Sequence, residues 1–387
     1  MAAYFDHAAT TPLDPAVLEA MRPYLAGEYG NPASLYELAN RAERAVERAR
    51  AQVAALLGAE PREIVFTSGG TEGDNWALKA LALREGRAPG RVVTSTVEHH
   101  AVIESAEYLE KLGGEVTHVA VDGHGRVDPA AVAEALDVGE KPAVASIMAA
   151  NNEVGTIEPV GQIAALCRER GVPFHTDAVQ AVGKVPFDAH ALGVDLASIS
   201  SHKIYGPKGV GAMYVRRGFR LAGFMHGGAQ ERGRRAGTVN VAGVVGLGKA
   251  AELAREGLEA ERARLAALGE RLAEGLLGRV PKIAITGHPT ERLPGFVSFT
   301  AQGVEGEAML LGLDAEGFAV SSGSACTTGS LEPSHVLLAM GIPPEVAHGS
   351  VRISLGRENT GEEVGRFLEV FGRVVERLRA MSPTWKG

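Results

Sequence analysis

The chain has 387 residues, 45% hydrophobic and 22% charged, the profile of a globular protein with room for a large core. A formal net charge of −8 gives no electrostatic reason to expect nucleic acid or an anionic membrane as a partner. Two cysteines, Cys167 and Cys326, are too few for a disulfide framework, and the start "MAAYFDHAAT" lacks the basic and apolar regions of a secretory signal; with no apolar run long enough to span a bilayer, a cytoplasmic protein is expected.

The order along the chain is mostly strand, then helix, repeated. "LDPAVLEAMRPYLAG" predicts a helix capped by Asp14, with Pro15 at its first position. "SLYELANRAERAVERARAQVAALLG" predicts a long amphipathic helix that stops at Gly58. "EIVFTSGG" reads as a strand entering a tight turn, with a helix from about Thr71. "RVVTST" is a further strand, followed by a helix from about His99. "EVTHVAV", "AVASIMAAN", "VPFHTD", "DLASISS" and "GAMYVRR" supply more strands. Several are near-continuous apolar runs, as in a sheet covered on both faces. The helices between most of them favour a mainly parallel sheet.

From about Val241 to Leu277 a long helical stretch changes the pattern. Beyond it come the strand "GFVSFTA", a helix from about Glu305, "AVSSGSAC", a helix around "SHVLLAMG" and the strand "SVRISLG". A last helix opens with "TGEE", where Thr360 caps and Glu363 reaches back. The expected fold is α/β, a mainly parallel sheet covered by helices, with a smaller α+β domain. Residues 14–257 would form the large domain, and residues 1–13 with 258–387 the small one.

Three stretches carry chemistry. In "TSGGTEGDNWALK" two glycines lead into a helix whose free N–H groups suit an anion such as phosphate. In "VPFHTDAVQAVGK", Asp177 and Gln180 follow a buried strand, where side chains of a parallel sheet face the ligand crevice. In "SHKIYGPKG", Lys203 ends the next strand, in a chain with only nine lysines against thirty arginines. Taken singly, each has a bland alternative: a structural turn, a helix cap, a lysine with its head in water. Together they offer a phosphate cradle, a carboxylate and a nucleophilic amine, the set that pyridoxal 5′-phosphate requires.

With these residues in view, the chain resembles the cysteine desulfurases, fold type I enzymes of the class V aminotransferase-like group. The resemblance rests on "YFDHAATTPLDP", "GNPAS", "TSGGTEGDN", "EHHAV", "NNEVGTIEP", "HTDAVQAVGK", "SHKIYGPKG", "ERGRRAGT", "SSGSACTTG" and "SVRISLGR", from about Tyr4 to Arg357. "SSGSACTTG" resembles the branch that supplies sulfur for iron–sulfur clusters and thiolated tRNA. The resemblance implies that Lys203 bonds the cofactor, Asp177 pairs with the pyridine nitrogen and Gln180 bonds the ring oxygen. It implies that His99 stacks on the ring and that Gly70, Thr71, Ser200 and His202 hold phosphate. Thr238 would reach the phosphate of a neighbouring subunit, which implies a homodimer. Asn152 and Arg352 would position L-cysteine, the guanidinium fork suiting its carboxylate, though a structural ion pair is the alternative for Arg352.

Cys326 lies among Ser, Gly, Ala and Thr in "SSGSACTTGS", a composition suited to an accessible loop and a reactive thiol. The resemblance implies that it receives the substrate sulfur as a persulfide, releases L-alanine and passes sulfur to an acceptor protein. Whether Cys326 ligates a cluster shared with a scaffold stays open, and no metal of the chain's own is expected. What the short end "RAMSPTWKG" does to scaffold docking stays open as well. Cys167, in "IAALCRERG", reads as helix packing. "GVVGLGKA" nearly matches a P-loop, but Ala250 stands where a hydroxyl would bind Mg²⁺. A selenocysteine lyase or another class V enzyme is the alternative reading.

Overall fold

The structure is a computed structural model that describes residues 3–322, 333–382 and 385. The first strands in chain order are β1 (Ala3–Tyr4), β2 (Ile64–Thr67), β3 (Val92–Ser95), β4 (Val116–Val119), β5 (Val144–Ser146) and β6 (Phe174–Asp177). Then follow β7 (Leu196–Ser200), β8 (Gly211–Val215), β9 (Ile283–Thr286), β10 (Phe296–Ala301), β11 (Phe318–Ala319) and β12 (Ser350–Ser354). Strands β2 to β8 form one seven-stranded sheet in the order β2-β8-β7-β6-β5-β3-β4. Only β8 runs against its neighbours. The reason is local: residues 201–210 join β7 to β8 without the long crossover that a parallel pair needs. That short connection carries Lys203.

Local signals produced the helices where the sequence predicts them. The helix Pro15–Ala26 has Asp14 as N-cap, its carboxylate accepting from the Ala16 N–H. The helix Glu37–Leu56 ends before Gly58, which takes the left-handed φ of +62°. The helix Gly361–Met381 carries the Thr360/Glu363 capping box. Two starts differ by one residue: one helix begins at Gly70 rather than Thr71, and the next at His100, with His99 outside as its cap. The short strands β1 and β9 were not anticipated; β1 is two residues long and exists only through its pairing with β11.

Two large cores separate along the chain. One gathers Val53, Phe66, Ile147, Phe174 and Ile199 between the seven-stranded sheet and its helices. The other gathers Phe5, Val297, Phe299, Ile353, Phe367 and Phe371 around the antiparallel sheet β12-β10-β9. The helix Val241–Arg279 joins them: Val244, Leu247 and Ala251 pack in the first core, Leu272 and Leu276 in the second. The P-loop-like "GVVGLGKA" lies wholly inside this helix, so its backbone cannot cradle a phosphate. No helix among the described residues is long and apolar enough to cross a membrane.

Candidate active site

The carboxyl ends of β2, β3, β5, β6 and β7 open onto one side of the large sheet, and five turns meet there. They surround a cavity of about 560 Å³, a size suited to an aromatic cofactor with a small substrate. Gly70, Thr71, His99, Asn152 and Asp177 line it, as do Gln180, Ser200, His202, Lys203 and Arg352. Residues from Gly70 to Arg352 thus converge as the sequence predicts. Thr238 does not line this cavity and is exposed. Cys326 lies outside the described residues.

One end of the cavity is built for an anion. The helix Gly70–Ala82 has glycine as N-cap and no side-chain cap, so its first N–H groups are left for a ligand. Gly70 must be glycine: an added Cβ would meet Val179 Cγ2 at 2.5 Å. Glu72 braces the turn, accepting from the Ser68 N–H at 2.8 Å and holding Arg235 through two bonds of 2.9 and 3.1 Å. His202 Nδ1 stands 3.1 Å from Thr10 Oγ1, and burial lowers its pKa to about 4. At neutral pH His202 is therefore a neutral hydrogen-bonding group.

Asp177, which lines the same cavity, is 6% exposed and accepts from the Val179 N–H at 2.9 Å. Burial pushes its carboxyl pKa up, opposed by the positive charge of His99 and Lys203 and by that hydrogen bond. Behind it sits Asp74, which the sequence analysis passed over. Burial, then the Asp177 charge, push Asp74 well above the carboxylate range, and its Oδ1 has no hydrogen-bond partner. Asp74, His99 and Asp177 bring one ligand atom each to within 4.8 Å of one another. His99 Nδ1 accepts from the Ala101 N–H at 3.1 Å, which leaves Nε2 to carry the proton of the neutral ring. Burial lowers the His99 pKa.

Lys203 lines the cavity as well. Its Nζ donates to the Ala8 and Ala9 carbonyls at 2.5 and 2.8 Å. Thr11 ties the same segment to the lysine turn through both its N–H and its hydroxyl, which donate to the His202 carbonyl. Two residues on, Tyr205 holds a left-handed φ of +66°, a conformation costly for a bulky residue. Contacts on both sides impose it: its N–H donates to Thr11 Oγ1, and its hydroxyl accepts from the Arg357 N–H.

Arg352, in β12, is 3% exposed. Its Nη1 donates to the Asn152 carbonyl at 2.8 Å and its Nη2 pairs with Asp6 at 2.7 Å, while Nε has no partner. Arg352 therefore makes the structural ion pair and also lines the cavity. Asp6, the Ala8 and Ala9 carbonyls and Asp74 went unread in the sequence. Asp74 alone had a signal, an acid four residues into a helix expected to bind an anion. Cys167 is buried in helix packing as expected, and burial raises its thiol pKa to about 12.

The chain belongs to the class-V aminotransferase family, whose pattern matches residues 3–367. Within that family its similarity is to cysteine desulfurases. It is 50% identical to cysteine desulfurase IscS of Methanosarcina thermophila over 382 residues, 99% of this chain and 94% of the relative. Among solved structures, a NifS-like protein superposes with a TM-score of 0.91 at 39% identity, covering 98% of this chain and all of the other. SspA, solved in complex with cysteine, superposes with a TM-score of 0.81 at 34% identity, over 91% of this chain and 98% of the other.

Proposed function

We propose that the chain is a pyridoxal 5′-phosphate-dependent cysteine desulfurase. It removes sulfur from L-cysteine, releases L-alanine and carries the sulfur as a persulfide on Cys326. The observation that carries this reading is one cavity lined by an uncapped helix N-terminus, Lys203 and a buried carboxylate. The residues fit the cofactor. The first turn of the helix Gly70–Ala82 has N–H groups for its phosphate, joined by Ser200 and His202. Asp177, whose charge burial disfavours, gains a cationic partner in the protonated ring nitrogen. Gln180 would donate to the ring oxygen and His99 would cover the ring, both lining the cavity.

When bound, the cofactor supplies an electron sink for negative charge at the substrate Cα. Lys203 Nζ anchors it and then takes and returns the Cα proton. Arg352, which lines the cavity, would hold the substrate carboxylate, and Asn152 would orient the amino acid. Cys326 Sγ forms the new S–S bond as the substrate C–S bond breaks. The thiol proton and the freed electron pair end on alanine, so cysteine plus thiol gives alanine plus persulfide without an external oxidant. Thr238 completes the phosphate site of a second copy in a homodimer. The persulfide sulfur then goes to an iron–sulfur scaffold or a tRNA-thiolation protein in the cytoplasm.

Mass spectrometry of the holoenzyme after L-cysteine addition tests the reading. The expected result is one added sulfur on Cys326 with alanine released. Cys326→Ser keeps the yellow cofactor but forms no persulfide, and Lys203→Ala loses both normal cofactor attachment and turnover. Wild-type alanine release by Cys326→Ser with a physiological reductant would overturn the assignment.

A further inference from the structure

Gln180 has an amide whose orientation decides whether it shows the cavity a donor or an acceptor. Its Nε2 donates to the Ala8 carbonyl at 2.9 Å, and its Oε1 accepts from Lys184 Nζ at 2.6 Å. A backbone carbonyl only accepts, and an ammonium only donates, so the two partners permit one orientation. The Ala8 carbonyl also accepts from Lys203 Nζ. Lys184, Gln180, Ala8 and Lys203 therefore form one hydrogen-bonded chain that ends on the lysine of the site.

Lys184 is aimed back at Gln180 by a turn that requires glycine. Gly183 has φ of +76°, and an added Cβ there would meet Ile204 Cγ2 at 2.7 Å. Burial, then the nearby Lys203 and Arg352 charges, bring the Lys184 pKa down to about 7. Lys184 and Lys203 also border a second cavity, lined by Tyr205, Leu258 and Arg357.

We propose that Lys184 is a positioning residue for the desulfurase reaction: by holding Gln180 Oε1 it fixes the amide so that an Nε2–H, not the carbonyl, faces the cofactor's ring oxygen. This rests on the reading of Gln180 as the ring-oxygen partner. The donor on that oxygen then tunes the electronics of the group bonded to Lys203, and the oxygen is not placed against a second acceptor.

The test compares the visible absorption band, its pH titration and the cofactor affinity of five holoenzymes: wild type, Lys184→Met, Lys184→Arg, Gln180→Ala and the Lys184→Met/Gln180→Ala double variant. Lys184→Met is expected to move the band in the same direction as Gln180→Ala and to weaken cofactor affinity about fivefold, the scale of one hydrogen bond. The double variant is expected to match Gln180→Ala alone, because Lys184 acts through Gln180. Lys184→Arg, which keeps a donor and has the adjoining cavity for room, is expected to restore the wild-type band. Additive effects in the double variant would overturn the proposal, showing that the Lys184 charge acts directly on Lys203. So would a wild-type band in Lys184→Met, or an Arg variant that behaves like the Met one. An unmoved band in Gln180→Ala would remove the ring-oxygen assignment and this proposal with it. Persulfide on Cys326 would still stand, which separates that failure from failure of the desulfurase reading.

Discussion

Asp177→Asn should act with opposite signs on stability and on turnover. In the cofactor-free protein Asp177 is a buried carboxylate with Asp74 beside it, within 4.8 Å. Burial, and each carboxyl's nearness to the other, make a charge at this pair unfavourable. His99 and Lys203 offset part of this, so replacing the charge should stabilise the apoprotein by about 1–2 kcal/mol, a few degrees in Tm. The Val179 N–H keeps an acceptor in the Asn oxygen. The pH dependence has a definite sign. A carboxyl with a raised folded pKa holds its proton more tightly in the fold than in the unfolded chain. Stability therefore falls as pH rises from about 4, the ordinary carboxylate value, through the raised value. The Asn variant should lose the Asp177 share of that slope in melts of the apoprotein, while Asp74, Glu98, Glu153 and Glu158, which burial also raises, keep theirs. In the holoenzyme it loses a charge-assisted hydrogen bond to the ring nitrogen, about 1.5–3 kcal/mol, or roughly tenfold to a hundredfold in alanine release. An Asn apoprotein that melts lower than wild type, or keeps the full slope, would refute the reasoning.

Arg352→Lys keeps a charge but loses the fork that spans Asn152 and Asp6; it should raise KM for L-cysteine about tenfold or more with a smaller change in kcat, read by steady-state alanine release. Glu231→Ala leaves Arg50 buried without its bidentate partner, since the pair meets at 2.7 Å with both side chains 4% exposed. The expected cost is about 3 kcal/mol, measured by denaturant melts. Gly70→Val pushes the phosphate turn off Val179 and should weaken cofactor binding at least about tenfold by equilibrium titration, an excluded-volume effect in a close-packed site.

Much of the site was readable in sequence because its parts obey local rules. Asp177, Ser200 and Lys203 follow apolar strands, and "SGGT" is a strand–turn–helix junction. Such positions open on the same edge of any parallel sheet. Capping is equally local, which is why Asp14 and the Thr360/Glu363 box were legible residues in advance. His99 is a useful exception: it was read as a ring partner, yet it is also the cap of the helix it precedes.

The amino-acid sequence by itself determined the elements, the chemical groups at their ends and the family resemblance, since periodicity, caps and turn residues act over a few positions. Only the tertiary structure decided which distant groups touch. The Ala8 carbonyl meets a lysine 195 residues away, and Asp6 pairs with Arg352 across 346 residues. Asp74 lies behind Asp177 because the helix Gly70–Ala82 packs over β7 and β5 of the sheet. None of these contacts has a short-range signature. They follow from the strand order β2-β8-β7-β6-β5-β3-β4, which is set by how whole elements bury their apolar faces and not by the residues that later meet.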